Sequence, residues 1–500
     1  MSSLRALIVG LDGASYALVE EGARTGRLPF LARLSSEGRL GRLRSVIPAV
    51  SPSAWSSMLT GVHPGKHGVL HFVDGDTRNP DAPESLITSR RVRGRTFLDG
   101  LARAGLRVGA VCIPATFPPW DVGGVMVSGY PCPEGRWSVC PSDLTVRTPP
   151  GPTTATVVGT NDDGPLADAV SAMWRRLDLV SEIASRRSLD VLMVVFSAVD
   201  HVQHLYGWEG TRRRIRFAYR EADRLLEAAS RLADSGTLVM VVSDHGGAPP
   251  PTRVFRTKRW LIEQGLAEEG KGPPTVSSPS SDETADAPRS VPEWVMQDPR
   301  FLQQIAAGVA EENRRVTGSP VHLDTRGVDA CRSKVLRYRL CDLSEGLVVN
   351  LSGRQRDGTV RPEEFLAVRS AVIEAARGLQ NTDPARRILK DVVTRDHLFP
   401  GAPPDRALPD IVLLLEDGVR AVGQTDGPAV EPIDGGAPSA RGGHSIDGVW
   451  GLMGPGVARG GKFEASIMDV APTVLEHFGV SGLQDADGSA RRDLVNRNPY

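Results

Sequence analysis

The chain has 500 residues, with 59 lysines and arginines against 60 aspartates and glutamates, and a formal net charge of −1 at pH 7. This length is enough for one large core with an inserted or appended domain, and the balanced charge provides no overall field for attracting a nucleic acid polymer. The five cysteines are odd in number and irregularly spaced, which favours a reducing compartment over a disulfide framework.

The chain starts directly with the apolar run of a core strand, LRALIVGLD at 4–12. No basic and apolar leader precedes this run, and no apolar stretch has the roughly 20 residues needed to span a bilayer. We therefore expect a cytoplasmic protein without a membrane partner. Nothing in the sequence indicates its oligomeric state.

Apolar runs of strand length recur along the whole chain. They lie at 4–11, 107–113, 123–128, 190–197, 237–243, 346–351, 410–415 and 448–453. Several of these runs show no alternation, which is typical of strands buried on both faces. Helical periodicity separates them, most clearly at 168–187 and 211–232. Strands that alternate with helices predict an α/β fold, with a mostly parallel sheet sandwiched by helices.

The composition changes after Gly247. Residues 270–293 are rich in proline, serine and charged residues and poor in large apolar ones, which is typical of a flexible loop. Helical patterns at 254–268 and 299–316 flank this segment. We therefore predict two parts, a core made of residues 1–249 and 346–500 and an inserted subdomain at 250–345.

Carboxylates and histidines follow several of the predicted strands. LDG at 11–13, AVDHVQH at 198–204 and SDHGG at 243–247 each end or follow a strand, and GGHS at 442–445 lies in a glycine-rich loop. Because ligands bind outside the carboxyl ends of the strands in open α/β sheets, we expect these side chains to converge there. Oxygen and imidazole donors suit zinc, manganese or iron. The candidates are Asp12, Asp200, His204, Asp244, His245 and His444.

Each of these residues also has an ordinary structural explanation. Asp12 is suited to cap the next helix, and His444 to lie in an exposed loop. Asp200 and His204 are four residues apart, so they share one face only if their segment is helical. His201 lies off that face. The combination of all the segments is what favours a metal site.

The segment SPSAWSSMLTG at 51–61 contains the candidate nucleophile. Ser51 precedes Pro52, and proline is the preferred first residue of a helix, so Ser51 is predicted to be the N-cap. A hydroxyl at a helix N-terminus lies in the positive potential of the helix dipole and is able to bind a metal ion. Both effects lower its pKa and make it a nucleophile. Ser53, Ser56 and Ser57 are alternatives that spacing alone leaves open.

Several long runs extend the pattern over almost the whole chain. They include S-x-x-AW-x-S-x-x-TG-x-x-PGKHG at 51–68, D-x-x-x-H at 200–204, SDHGG at 243–247, NLSGRQRDGTV at 350–360, GGHS-x-DGVWGLMGPG at 442–456 and IMDVAPTVLEHFGV at 467–480. Together these runs resemble the type I phosphodiesterase/nucleotide pyrophosphatase family of the alkaline phosphatase superfamily.

The resemblance implies a phosphoester hydrolase with two divalent metal ions, which we expect to be zinc, with manganese as the alternative. It implies one metal site formed by Asp12, Ser51, Asp244 and His245, and a second formed by Asp200, His204 and His444. In the family the nucleophile stands nine residues before the threonine of the TG pair. Thr60 therefore indicates Ser51, which would carry a phosphoryl intermediate.

Two departures from related patterns narrow the expected activity. Ser53 and Trp55 occupy the positions at which sulfatases of the superfamily have a proline and an arginine, which disfavours a sulfatase. Animal nucleotide pyrophosphatases have a phosphate-binding asparagine five residues after the histidine of their HG pair, where this chain has Phe72. Another group must then bind the phosphate, and His71 is a candidate.

The expected substrate is a small-molecule phosphoester, and the sequence does not indicate its leaving group. We find no motif-linked arginine for the additional charge of a monoester, which favours a phosphodiesterase or nucleotide pyrophosphatase-like activity. The alternatives are a phosphomonoesterase, a phosphonate-ester hydrolase, a transferase that passes the phosphoryl group to an alcohol, and an inactive binding relative.

Overall fold

The structure is a computed structural model that describes residues 4–74, 78, 85–131, 138–144, 163–206, 212–270, 303, 306–307, 322–380, 387–433, 442–483 and 485–496. Its strands are β1 (Ala6–Leu11), β2 (Arg39–Arg44), β3 (Val73–Asp74), β4 (Ser85–Leu86), β5 (Val108–Ile113), β6 (Val125–Ser128), β7 (Val139–Cys140), β8 (Val191–Phe196), β9 (Leu238–Val242), β10 (Gly246–Ala248), β11 (Arg253–Arg256), β12 (His322–Asp324), β13 (Val335–Cys341), β14 (Ser344–Val349), β15 (Leu389–Thr394), β16 (Ile411–Leu415), β17 (Val419–Val422), β18 (Val430–Pro432), β19 (Gly443–Ser445), β20 (Asp447–Met453) and β21 (Glu464–Ser466). Its helices are α1 (Tyr16–Arg24), α2 (Pro29–Glu37), α3 (Ser51–Thr60), α4 (Pro64–His67), α5 (Phe97–Arg103), α6 (Gly164–Arg186), α7 (Ala198–Tyr206), α8 (Arg213–Ala229), α9 (Thr257–Glu263), α10 (Phe365–Gln380), α11 (Arg395–Leu398) and α12 (Val470–His477).

The largest sheet contains nine strands of the described residues, in the order β21-β2-β20-β9-β1-β8-β5-β6-β7. β1 pairs in parallel with β8 on one side and with β9 on the other. β5 continues the parallel pairing with β8 and β6, whereas β20 is antiparallel to β2 and β9. The predicted α/β fold with a mostly parallel sheet is therefore confirmed.

Helices cover both faces of this sheet. Residues of α1, α2, α6 and α8 form the apolar core on one face, and residues of α3, α5 and α12 contribute to the core on the other. Every residue of β1, β8 and β9 is buried. Burial on both faces explains why these strands are continuous apolar runs rather than alternating patterns.

A smaller antiparallel sheet contains five strands of the described residues, in the order β12-β13-β14-β16-β15. Three further strands pair in the order β17-β11-β18, and β17 contacts β16. The smaller sheet takes strands from both sides of residue 345, where we placed the end of the inserted subdomain. The sheets therefore do not separate at that residue, and the division of the chain into domains stays a prediction.

Local predictions differ from the structure mainly in the second half of the chain. Each predicted strand run overlaps an observed strand, and the two clearest helical patterns correspond to α6 and α8. The helix predicted at 254–268 is shorter, because residues 253–256 pair with β17 and β18 before α9 begins. Most of 270–293 and 299–316 lies outside the described residues.

The described cysteines, Cys112, Cys140, Cys331 and Cys341, are free thiols, and Cys132 lies outside the described residues. Within the described part of the chain, no helix is both long enough and apolar enough to cross a membrane.

Candidate metal centre

Three neighbouring parallel strands bring three carboxylates to one edge of the large sheet. Asp12 directly follows β1, Asp244 lies two residues beyond β9, and Asp200 is in the first turn of α7, which follows β8. Because β9, β1 and β8 are adjacent, the carboxyl ends of all three strands meet at this edge. The convergence predicted from the sequence is therefore present, and all three aspartates are buried.

One group of candidate ligands combines α7 with the short strand β19. Asp200 and His204 are one helical turn apart, with Asp200 Oδ2 at 3.4 Å from His204 Nε2. Pairing of β19 with β10 places His444 opposite Gly247. His444 Nε2 lies 2.9 Å from His204 Nε2 and 3.8 Å from Asp200 Oδ1. One donor atom from each of Asp200, His204 and His444 lies within 4.8 Å of the others.

A second group joins the ends of β1 and β9. Donor atoms of Asp12, Asp244 and His245 also lie within 4.8 Å of one another. His245 Nε2 is 3.2 Å from Asp244 Oδ2 and 3.8 Å from Asp12 Oδ1. The rings of His245 and His444 stack with their centroids 3.9 Å apart. The two groups are therefore direct neighbours.

Ser51 lies directly beside the second group of candidate ligands. Its Oγ donates a hydrogen bond to Asp12 Oδ1 at 3.2 Å and is 3.4 Å from His245 Nε2. The prediction that Ser51 is an N-cap is wrong, because α3 begins at Ser51 and the extended Val50 is the N-cap. Ser51 is still in the first turn, where the positive potential of the helix dipole is strongest.

The other three serines of the segment point elsewhere. Ser53 and Ser56 are fully buried, and neither hydroxyl has a hydrogen-bond partner among the described residues. Ser57 Oγ lies 2.9 Å from His67 Nε2. Of the four serines that the sequence left open, Ser51 alone contacts the ligand groups.

Two residues that were not among the sequence candidates for the site hold the carboxylates in place. Trp55 Nε1 donates to Asp12 Oδ2 at 3.2 Å, and the signal for it was its spacing of one helical turn from Ser51. Gly13 N donates to Asp244 Oδ1 at 3.1 Å. Gly13 has φ +69°, and a Cβ at this residue would lie 2.6 Å from Asp200 Oδ1. Glycine is therefore needed here for both conformation and space.

Backbone carbonyls fix the tautomers of two histidines. His444 Nδ1 lies 2.8 Å from the Ala49 carbonyl oxygen, and His245 Nδ1 lies 3.2 Å from the Gly246 oxygen. A carbonyl only accepts, so each Nδ1 carries the proton, and each neutral ring has its lone pair on Nε2. Both Nε2 atoms face the carboxylates. Histidines that bind metals are oriented in this way.

The buried charges strongly perturb one another. Burial, together with the charge of Asp200, raises the pKa of Asp12 to about 7, and burial and Asp12 raise the pKa of Asp244 well above its usual value. Burial, together with His444, lowers the pKa of His245 to about 3. Burial opposes the charged form of His204, but the charge of Asp200 raises its pKa to about 9. Burial opposes the ionised form of Asp200 as well, but the charges of His204 and His444 hold its pKa below the usual value. Asp12 and Asp244 are therefore the carboxylates that lack sufficient positive charge from the protein itself.

The residues of both groups fit divalent cations. Asp200 Oδ1 and Asp244 Oδ2 are buried and have no hydrogen-bond partner among the described residues. Buried carboxylate oxygens without partners are costly, and a cation would supply the missing interaction. The mixture of carboxylate, imidazole and hydroxyl donors is also one that such ions accept. Each group is thus a candidate site for one metal ion.

His201 and the aromatic residues near 72 lie outside these two groups. Burial lowers the pKa of His201 to about 4. The Phe72 ring packs edge to face against Tyr130, with centroids 4.7 Å apart, and against His71 at 6.1 Å. Phe72 is therefore part of a small aromatic cluster, and a phosphate contact by His71 stays a prediction.

Asp342 is a further acidic residue beside the ligands, and no sequence motif indicated it. It lies in the turn between β13 and β14 of the smaller sheet. The charges of His444 and His204 both act on its carboxylate. Its Oδ2 lies 3.2 Å from the position of a Cβ at Gly443. The smaller sheet therefore reaches the edge of the metal centre.

Comparison with known families agrees with this geometry. The profile of the family described as type I phosphodiesterase / nucleotide pyrophosphatase matches residues 6–444. The chain belongs to this family. Membership confirms the resemblance that the sequence motifs suggested, and it makes the protein a phosphoester hydrolase of the phosphodiesterase/nucleotide pyrophosphatase type.

Solved structures show the same fold as this family member. Murine ectonucleotide pyrophosphatase/phosphodiesterase 5 matches with a TM-score of 0.52 and 11% identity, over 98% of this chain and 100% of that chain. The human protein of the same name matches with a TM-score of 0.52 and 10% identity, over 98% and 100%. An inactive variant of the murine protein in complex with AMP matches with a TM-score of 0.52 and 11% identity, over 99% and 100%. At these identities the similarity establishes the fold.

Proposed function

We propose that this protein is a phosphodiesterase that uses two divalent metal ions and Ser51 as its nucleophile. The observation that carries the proposal is the position of the Ser51 hydroxyl, 3.2 Å from Asp12 Oδ1 and 3.4 Å from His245 Nε2 at the start of α3. This oxygen lies at a helix N-terminus and is also next to a group of candidate ligands. Both features favour its ionised, nucleophilic form.

The two ligand groups would hold one ion each. The first would use Asp12, Ser51, Asp244 and His245, and the second Asp200, His204 and His444. When bound, the ions would supply positive charge that lowers the pKa of the nucleophile and stabilises the oxygens of the transferred phosphoryl group. We propose zinc, with manganese as the alternative, because both accept carboxylate and imidazole donors.

Ser51 would act by covalent catalysis. Its Oγ forms a bond to phosphorus while the bond between phosphorus and the leaving oxygen breaks, and the departing alcohol takes up the Ser51 proton. Phosphoryl-Ser51 keeps the second ester group of the substrate. A water molecule then attacks the phosphorus, the bond from phosphorus to Ser51 Oγ breaks, and a proton of the water restores the Ser51 hydroxyl. The hydrogen bond to Asp12 and the helical position of Ser51 orient its oxygen before the reaction. The positive potential at the N-terminus of α3 favours the anionic phosphoryl group.

A diester is the substrate class that the sequence favours, because no motif-linked arginine is present for the additional charge of a monoester. The solved structure of the inactive murine variant is a complex with AMP, so diesters of nucleoside 5′-phosphates belong among the substrates to test. Phe72 stands where animal pyrophosphatases have a phosphate-binding asparagine. The activity therefore has to be measured both on diesters of nucleoside 5′-phosphates and on diesters without a nucleoside.

The test is a panel of chromogenic monoesters, diesters and phosphonate esters, assayed with added zinc or manganese. We expect turnover of bis-p-nitrophenyl phosphate by the wild type and none above background by Ser51→Ala. Adding glycerol separates a hydrolase from a transferase, since a transferase would release less free phosphoester and form a glycerol ester. Absence of turnover for every ester by metal-loaded protein would contradict the proposal and leave a binding protein.

A further inference from the structure

A buried glutamine lies between the two candidate ligands that α7 contributes to the metal centre. Gln203 is 2% exposed, and it stands in the helix between Asp200 and His204. Its Nε2 donates a hydrogen bond to the carbonyl oxygen of Gly13 at 2.9 Å. Gly13 directly follows Asp12. This bond therefore connects the helix that carries one group of ligands with the loop that carries a ligand of the other group.

The N–H group of the same glycine is also bound. Gly13 N donates to Asp244 Oδ1 at 3.1 Å, and a Cβ at Gly13 would lie 2.8 Å from the Cβ of Asp200. Gly13 thus bonds to a ligand through its N–H group and to Gln203 through its carbonyl group. Because one Cα joins these two groups, a shift of the carbonyl also moves the N–H group and the adjoining Asp12.

A tyrosine of α8 holds the glutamine side chain in this position. The Tyr219 hydroxyl donates to Gln203 Oε1 at 3.3 Å and accepts a hydrogen bond from the backbone N–H of Ser15 at 2.8 Å. Burial raises the pKa of Tyr219, so the hydroxyl keeps its proton and acts as a donor. The Gly13 carbonyl only accepts, and each group in the chain from Ser15 to Gly13 therefore has the role that its neighbour requires.

Gln203 also contacts the segment that pairs with the strand of His444. A Cβ at Gly247 would lie 2.1 Å from Gln203 Oε1, and Gly247 is opposite His444 in the pairing of β10 with β19. Gly247 follows His245 by two residues. The glutamine amide therefore lies against three backbone segments that carry or adjoin candidate ligands.

Both hydrogen bonds of the amide lead to the same short loop at residues 13–15, one directly and one through Tyr219. We propose that Gln203, held by Tyr219, is a positioning residue that fixes the ligands at Asp12 and Asp244 relative to those on α7. It acts through the backbone of Gly13 rather than on the substrate. Loss of hydrogen bonds that orient metal ligands typically lowers metal affinity or activity by about 10–100-fold.

This inference rests on the proposed two-metal function, and metal binding by substrate-free protein tests it. Gln203→Met keeps the length of the side chain and removes both hydrogen bonds. We expect its zinc affinity, measured by competition with a chromophoric chelator, to fall about tenfold or more. The visible absorption spectrum of the cobalt-loaded protein should also change, because this spectrum depends on the geometry of the ligands. In the diesterase assay, kcat should fall while KM stays nearly constant.

Tyr219→Phe removes only the hydroxyl and should weaken zinc binding by a smaller factor than Gln203→Met. The double variant should bind zinc about as well as Gln203→Met alone, because the two residues act through one chain of hydrogen bonds. Losses of zinc-binding free energy that simply add in the double variant would contradict this chain.

Gln355→Met is the matched control for the loss of a buried amide. Gln355 is also buried, and its Oε1 accepts a hydrogen bond from Leu351 N at 2.8 Å in the loop after β14. This variant should have a lower melting temperature but the zinc affinity and cobalt spectrum of the wild type. A loss of zinc affinity equal to that of Gln203→Met would show a general effect of destabilisation and would overturn the positioning role.

The remaining outcomes separate the positioning role from the proposed function. Wild-type zinc affinity and an unchanged cobalt spectrum in folded Gln203→Met would overturn the positioning role and leave the hydrolase intact. If Gln203→Met does not fold, Tyr219→Phe replaces it, and unchanged zinc affinity in that variant would overturn the positioning role. Failure of the wild type to bind two ions, or to cleave any ester when loaded with metal, would instead contradict the proposed function.

Discussion

The metal centre and the charged row along the smaller sheet (Lys258, Asp324, Arg337, Glu345, Arg339 and Asp342) both contain buried ionisable side chains. They compensate the charges of these side chains in different ways. In the row, Asp324 and Glu345 bind Arg337 directly, at 3.0 and 3.2 Å. At the metal centre, three buried carboxylates lie near one another, and Asp200 Oδ1 and Asp244 Oδ2 have no hydrogen-bond partner in the described structure. The fold pairs the inner charges of the row with one another and leaves two carboxylate oxygens at the centre without a hydrogen bond among the described residues, which is what a cation-binding site requires.

The same contrast appears in the pKa values. Arg337 has a raised pKa because the attraction of its carboxylate partners exceeds the cost of burial. Asp12 has a pKa raised to about 7 because burial and the charge of Asp200 both disfavour its ionised form. Substitution of a paired residue in the row should therefore lower the stability of the fold. Substitution of a residue at the metal centre should instead change metal binding and catalysis.

The largest expected effect is on catalysis by Ser51. Ser51→Ala should lower kcat/KM for bis-p-nitrophenyl phosphate by about 10³-fold or more, because the nucleophile is lost. The melting temperature should change little. Ser53→Ala is the matched control within the same helix and should retain activity. Loss of activity in Ser53→Ala but not in Ser51→Ala would show that the nucleophile is misassigned.

The second effect is on stability and compares two arginines of one strand. Arg337→Met should reduce the free energy of unfolding by about 3–5 kcal/mol, since it leaves two buried carboxylates without their partner. Arg339→Met removes a guanidinium that forms no ion pair with any described residue, and it should cost much less. Urea denaturation of both variants measures the difference. Equal losses would contradict the distinction between a paired and an unpaired position.

The third effect is on the metal content of one group. His444→Ala removes one of three ligands, so it should lose or weaken one metal ion while Asp12, Asp244 and His245 retain the other. Metal analysis after dialysis counts the ions. His201→Ala, in the neighbouring turn of α7, should keep both. An unchanged metal count in His444→Ala would remove this histidine from the site.

The smallest effect concerns the substrate class. Bis-p-nitrophenyl phosphate should be cleaved with at least tenfold higher kcat/KM than p-nitrophenyl phosphate, a difference of about 1.4 kcal/mol in transition-state stabilisation. The reason is that the ligand groups offer no further cation for the second charge of the monoester. A preference for the monoester would restrict the assignment to a two-metal phosphoester hydrolase.

The sequence predicted the convergence of the candidate ligands better than it predicted the smaller sheet, for a physical reason. Asp12 and Asp244 follow continuous apolar strands, so a local pattern indicates both the strand and the donor that follows it. β2 was not predicted, because its sequence RLGRLR contains three arginines and becomes a strand by pairing with β20 and β21. The pairing is a long-range property.

The charged row could not be predicted for a related reason. Arg337 and Glu345 look like exposed strand residues in the sequence, and their pairing depends on the register of β13 and β14. Asp342 lies in a turn without a motif, and its position beside His444 follows from how the smaller sheet meets the large one. The sequence predicted Ser51 as the nucleophile from the family pattern, whereas its place as the first helical residue instead of the N-cap depended on Val50.

The central claim is that the two groups of ligands hold two divalent ions that the activity requires. The most direct test is to measure metal content and phosphodiesterase activity of the same wild-type sample, before and after removal of metal with a chelator and after its return. We expect about two zinc or manganese ions per chain, loss of activity with the chelator and recovery on adding metal. Full activity in protein without bound metal, or a metal-loaded protein with fewer than two ions per chain, would contradict the claim.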